Sequence, residues 1–102
     1  MDRARRIKAL QTLQRIKEHE LDEQAAKMGV IRAEQGKLQQ ELDTLAHRLE
    51  TETEITTPEA APFLAGFLHA VQQRRDVIDG EMVKLDEKAA QIEGRLFETY
   101  TE

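Results

Sequence analysis

T-E-I-T-T-P-E-A-A-P, residues 53–62, holds both prolines of the chain and decides its fold. It interrupts two long stretches that contain no helix-stopping proline of their own. Thr56 and Glu59 have capping-box spacing, and Thr57 followed by Pro58 is an equally good helix start, with proline at the first helical position. Pro62 lies about one turn further on and donates no backbone hydrogen bond. The second helix is therefore expected to open with a loose turn and become regular from Phe63.

Both flanks carry a heptad pattern. Before the turn, positions 7, 14, 21, 28, 35, 42 and 49 and their companions 10, 17, 24, 31, 38 and 45 are apolar in nine of thirteen cases, with polar interruptions toward the start. After it, positions 64, 71, 78, 85 and 92 with 68, 75, 82, 89 and 96 are apolar in nine of ten, Arg75 being the exception. Such repeats predict coiled-coil seams. The fold class is all-α: two long helices forming an antiparallel coiled-coil hairpin. Helix 1 is expected over about 3–52, the turn over about 53–58 and helix 2 over about 59–100.

Folding the halves together pairs Leu49 with Leu64, Leu45 with Leu68, Leu42 with Val71 and Leu21 with Ile92, so that paired residue numbers total 113. The centre of that register falls between Thr56 and Thr57, where the capping signals put the turn. Arg75 would face Leu38 and snorkel toward Glu34 or Glu41. Phe97 and Tyr100 would face Ile16 and Leu13 and broaden the core. Glu102 would face Gln11, leaving residues 1 to about 10 without a partner in the chain.

Composition fits this picture. Charged residues make up 34% of the 102 positions and aromatics 4%, and Ser, Asn, Cys and Trp are absent, which favours long helices over a thick globular core. The absence of Cys removes disulfides, thiolate metal sites and thiol nucleophiles, and no apolar run approaches a membrane span. A cytoplasmic protein is expected. The net charge of −5 is unevenly spread: residues 1–17 carry six cations (Arg3, Arg5, Arg6, Lys8, Arg15, Lys17) against one anion, residues 18–59 four against eleven. A basic end points to an acidic partner. With Ile7 and Leu10 beside its arginines, the overhang reads either as a binding element or as a solvated terminus.

Signals of chemistry are weak. There is no serine or cysteine nucleophile, the five glycines form no phosphate-cradling loop, and His19, His47 and His69 share no metal-ligand spacing. No catalytic residue, cofactor or metal is expected, and a two-helix protein offers no pocket to perturb its carboxylates. The glycines recur at outer heptad positions, either as smooth strips for a partner or as tolerated substitutions. A nucleic-acid role is disfavoured, because the basic run is short and no aromatics interleave with it.

Phe63, Phe67, Ala70 and Arg74 form a second stripe, one residue off the seam of Leu64, Leu68 and Val71. They either fold over the seam near the turn or stay at least partly exposed as an anchor for a partner.

The segments LQTLQRIKEHELDEQAAKMGVIRAEQGKLQQELDTL (10–45) and PFLAGFLHAVQQRRDVIDGEM (62–82) resemble the FliJ family of flagellar and type III secretion export proteins. The resemblance covers nearly the whole chain, which is shorter than typical members with their longer second helix and charged tail. It implies a small antiparallel coiled coil, similar to a rotary-ATPase shaft, that inserts into the hexameric export ATPase. It also implies contacts with the cytoplasmic domain of the export gate and with substrate chaperones, at the cytoplasmic face of the inner membrane. The export-gate contact would map to Phe63, Phe67, Ala70 and Arg74. The ATPase-ring contact would map to Arg3, Arg5, Arg6, Ile7, Lys8 and Leu10. The alternative is a stand-alone coiled-coil chaperone or dimerisation module, two hairpins pairing weakly through the phenylalanine stripe.

Overall fold

The computed structural model describes residues 2–54 and 57–101. Helix α1 spans Asp2–Glu52 and α2 spans Ala61–Thr101, and the two pack against each other as an antiparallel helical hairpin. Ala, Leu, Glu, Gln, Lys and Arg fill both helices, so local preference and the seam pattern agree.

α1 stops at a threonine. The Thr53 amide donates to the Leu49 carbonyl at 3.1 Å and its hydroxyl donates to the same oxygen at 2.6 Å. The amide bond continues the helical i→i−4 pattern one residue past Glu52, and the hydroxyl adds a second donor to the same carbonyl. Re-entry is through a short 3-10 turn, Pro58–Ala60, with Thr57 extended ahead of it (φ −91°, ψ 138°). The Thr57 hydroxyl makes no capping hydrogen bond; only its carbonyl is used, by the Ala60 amide at 3.1 Å. The alternative cap, Thr56 with Glu59, involves a residue outside those described. Pro62 is accommodated in the first turn of α2, where an amide has no helical acceptor anyway. Regular helix thus begins at Ala61, two residues before Phe63.

The helices form two compact units. One is Arg32–Asp86, which includes the turn. Its core is Leu45, Val71 and Ile78, with Leu38, Leu42, Leu49, Phe67 and Met82 packed against them. The other unit joins Met1–Ile31 to Glu87–Glu102. Here Met28, Ile31 and Ile92 are buried, together with two polar residues, Gln24 and Thr99.

The register differs from the expected one. In the turn-containing unit, matching the covered positions outward from the turn sets Glu52 against Leu64, Leu49 against Phe67, Leu45 against Val71 and Leu38 against Ile78. These pairs total 116; the direct contacts Glu41–Arg74 and Arg48–Phe67 agree to within one residue, while the Gln35–Asp86 hydrogen bond reaches about one turn along the helices from that register. In the other unit, Lys17 with Thr99, Leu21 with Leu96 and Gln24 with Ile92 give 116 or 117. The centre therefore lies at Pro58 instead of between Thr56 and Thr57. The reason is the 3-10 turn, which lengthens the connection on its α2 side.

Three further expectations change with the register. Leu68, assigned to the seam, is 42% exposed, and Phe67 takes its place against the core. Arg75 is exposed and does not enter the seam; Arg74 meets Glu41 instead. Phe97 and Tyr100, expected to broaden the core, are 70% and 76% exposed. The covered stripe of α2 explains this: it runs 64, 67, 71 near the turn and 78, 82, 85, 89, 92, 96, 99 beyond the arginine pair. Its spacing changes from three-then-four to four-then-three across Arg74 and Arg75. A strict seven-residue repeat places Leu68 and Arg75 wrongly for that reason.

Candidate functional site

The stripe Phe63, Phe67, Ala70 and Arg74 is not one continuous exposed surface. Phe63 is 66% exposed and Ala70 is exposed. Phe67 is half-buried, packed on the Leu45–Val71–Ile78 cluster, with the Arg48 guanidinium carbon 5.1 Å from its ring centroid. That distance is within cation–π range. Arg48 also lies 3.6 Å from Glu52, so it bridges the aromatic ring and the last acidic residue of α1.

Arg74 is held as a fork. Its Nε donates to Glu41 Oε1 and its Nη2 to Glu41 Oε2, both at 2.8 Å. These hydrogen bonds hold the Glu41 carboxyl below the usual glutamate range, with the Arg74 charge adding to the effect and partial desolvation opposing it. The same pair raises the Arg74 guanidinium further, through the Glu41 hydrogen bond first. Further from the turn, Gln35 Nε2 donates to Asp86 Oδ1 at 2.9 Å. Near α2's start, then, Phe63 and Leu68 offer exposed apolar surface, while Phe67 and Arg74 are tied to α1.

The second set of expected site residues lies on the N-terminal stretch of α1. Residues 2–16 are all exposed, including Arg3, Arg5, Arg6, Ile7, Lys8 and Leu10. Leu13 and Ile16, expected to be covered by Tyr100 and Phe97, are 58% and 57% exposed. An open groove of about 630 Å³ runs along this stretch, lined by Leu10, Leu13, Gln14, Ile16, Lys17 and Glu20. Among the described residues none of Arg3, Arg5, Arg6 and Lys8 forms an ion pair. The segment is therefore both cationic and apolar at its surface.

Two polar residues are buried in the unit that contains Met28 and Ile92: Gln24, at an expected seam position, and Thr99, which the expected seam did not include. Gln24 is buried, and its side-chain carbonyl oxygen has no hydrogen-bond partner. Its heptad position was legible, but not that its oxygen would be left unpaired. Thr99, buried as well, satisfies its hydroxyl by donating to the Arg95 carbonyl at 2.9 Å.

Among the described residues no group of three or more His, Asp or Glu side chains is arranged to hold a metal, and no helix is long and apolar enough to cross a membrane. No protein-family model, curated protein or solved structure matches the chain.

Proposed function

We propose that this protein is a non-enzymatic coiled-coil adaptor of a flagellar or type III protein export apparatus. In this reading it is a stalk in the export ATPase ring that links the ring to the export gate and substrate chaperones. The observation that carries the proposal is the N-terminal stretch of α1. It presents Arg3, Arg5, Arg6 and Lys8 beside Ile7 and Leu10, all exposed on a hairpin whose seam is already filled. The sequence resemblance of residues 10–45 and 62–82 to FliJ proteins supplies the identity of the partner. A cationic helix with apolar residues suits an acidic, partly apolar lumen. Near the turn, Phe63 is the aromatic free to anchor a gate contact, flanked by Ala70, with Phe67 and Arg74 fixing the surface around it. The protein would act in the cytoplasm, at the inner face of the membrane, without spanning it.

Pull-down with purified export ATPase and with the cytoplasmic domain of the export gate tests both contacts. Reversing Arg3, Arg5 and Arg6 to Glu should weaken capture by the ATPase, and Phe63→Ala should weaken capture by the gate, with helicity unchanged in each. Binding to neither partner overturns the export role. If that result came with self-association lost in Phe63→Ala, with helicity unchanged, it would favour a stand-alone dimerisation module instead.

A further inference from the structure

The charges at the start of α1 are arranged symmetrically about Leu13. Arg3, Arg6 and Lys8 precede it by ten, seven and five residues, and Glu23, Glu20 and Glu18 follow it by the same intervals. Each of these three cations thus has a carboxylate as its mirror position, whereas Arg5, Arg15 and Lys17 mirror Leu21, Gln11 and Ala9. Inside one helix these groups cannot meet. Lys8 and Glu18, the closest of the mirror pairs, are separated by about 15 Å along the axis, and helical ion pairs form only across three or four residues.

The structure shows that the symmetric segment has a free face. Arg6, Ala9, Leu13, Ile16, Glu20 and Glu23 are spaced by three and four, so they share one stripe of α1, and all six are exposed. The stripe lies beside the seam toward α2. Glu20 and Glu23 are exposed next to Leu21 and Gln24, which α2 covers. It is apolar at its centre, basic toward one end and acidic toward the other. The groove lined by Leu10, Leu13, Ile16 and Glu20 lies at its middle.

We propose that the protein self-associates as an antiparallel dimer through residues 3–23 of α1, with Leu13 of each copy meeting at the two-fold axis. In that arrangement Arg6 faces Glu20 of the second copy, and Arg3 lies toward its Glu23 at the edge of the contact, while Lys8 and Glu18 fall on the far side of the helix. Leu10 lies across from Ile16, and the small Ala9 across from Lys17. A parallel pair would set Arg6 against Arg6 and Glu20 against Glu20, which is repulsive. An anionic lipid surface fits less well, because Glu20 and Glu23 on the same stripe would be repelled. A second copy matches both signs of charge at once. The overlap is about 30 Å long, short for an obligate interface, so the dimer is concentration-dependent and sensitive to salt. It does not depend on the export role, although ring binding through Arg3 and Arg6 would compete with it.

Sedimentation equilibrium of the full chain tests this. A monomer–dimer equilibrium is expected, its Kd rising about fivefold or more between about 0.05 M and about 0.5 M salt. The double variants Arg3→Glu/Arg6→Glu and Glu20→Lys/Glu23→Lys should each be monomeric, and their equimolar mixture should recover the dimer. Because the chain has no cysteine, Leu13→Cys should form a disulfide-linked dimer under mild oxidation. Arg6→Cys should cross-link to Glu20→Cys and not to itself. Circular dichroism of each variant confirms that the helices persist. A wild-type chain that stays monomeric at about millimolar concentration overturns the dimer, as does failure of the mixed double variants to associate. Self-cross-linking of Arg6→Cys would overturn the antiparallel arrangement. Retained ATPase capture in any of these cases would leave the export reading standing.

Discussion

Arg74 grips Glu41 through two parallel 2.8 Å hydrogen bonds, whereas its neighbour Arg75, at the position the heptad repeat assigns to the seam, stays exposed. The pair joins α1 to α2 where the covered stripe of α2 changes its spacing. An ion pair there holds register without burying a charge, since both side chains keep access to water.

This contact predicts a pH dependence of stability with a definite sign. Glu41 is acidified in the folded hairpin, chiefly by the Arg74 hydrogen bonds, relative to the unfolded chain. Its contribution is therefore complete above the ordinary glutamate range and is lost as pH falls through the lowered folded value. Urea denaturation from neutral pH into the acid range should show this loss, and Arg74→Ala should flatten that part of the curve.

Phe63 and Phe67 should behave as different kinds of residue. Phe67→Ala removes packing on Leu45, Val71 and Ile78 and is expected to cost about 1–3 kcal/mol. Phe63→Ala removes an exposed ring and should change stability by no more than about 0.5 kcal/mol. Paired denaturation curves check both values; equal losses would contradict the placement.

Gln24 should be replaceable with a gain. Its buried carbonyl oxygen has no partner, so Gln24→Leu removes an unsatisfied group and adds apolar contact near Met28 and Ile92. A stabilisation of about 1 kcal/mol or more is expected in thermal or urea unfolding. A loss instead would show that a water or a partner satisfies this oxygen.

The glycines are open to alanine. A Cβ added at Gly80 would meet nothing within 4 Å, and no glycine has positive φ. Gly80→Ala should stabilise by about 0.5–1 kcal/mol through helix preference alone. Unfolding curves of the single variant test it.

How far the sequence could be read depends on which physics each feature obeys. The two helices were legible because apolar periodicity and proline placement act locally, and α1 ends at Glu52 as expected. The register was not, because it depends on how many residues the connection consumes, and the 3-10 turn at Pro58 used more on the α2 side. Phe67 and Leu68 are adjacent and both apolar, so which one enters the core is a packing outcome that no repeat decides. The exposure of Arg3, Arg5, Arg6, Ile7, Lys8 and Leu10 was expected; Leu13, Ile16, Phe97 and Tyr100 join them because Phe97 and Tyr100 fall beside the covered positions Leu96 and Thr99 instead of on them.

The long exposed stretch of α1 also sets where the helix is held in time. Residues 2–16 are exposed and held by local hydrogen bonds of the helix, with the Thr12 hydroxyl donating to the Lys8 carbonyl, while Gln24, Met28 and Ile31 are covered. Helix that is unsupported by packing opens and closes on its own, with little nucleation to protect it. Amide exchange should therefore slow progressively from Arg3 to Gln24 within one unbroken helix. Any molecule that settles on the N-terminal stretch would be read out as a step in that gradient, moving the slow-exchanging boundary toward Arg3.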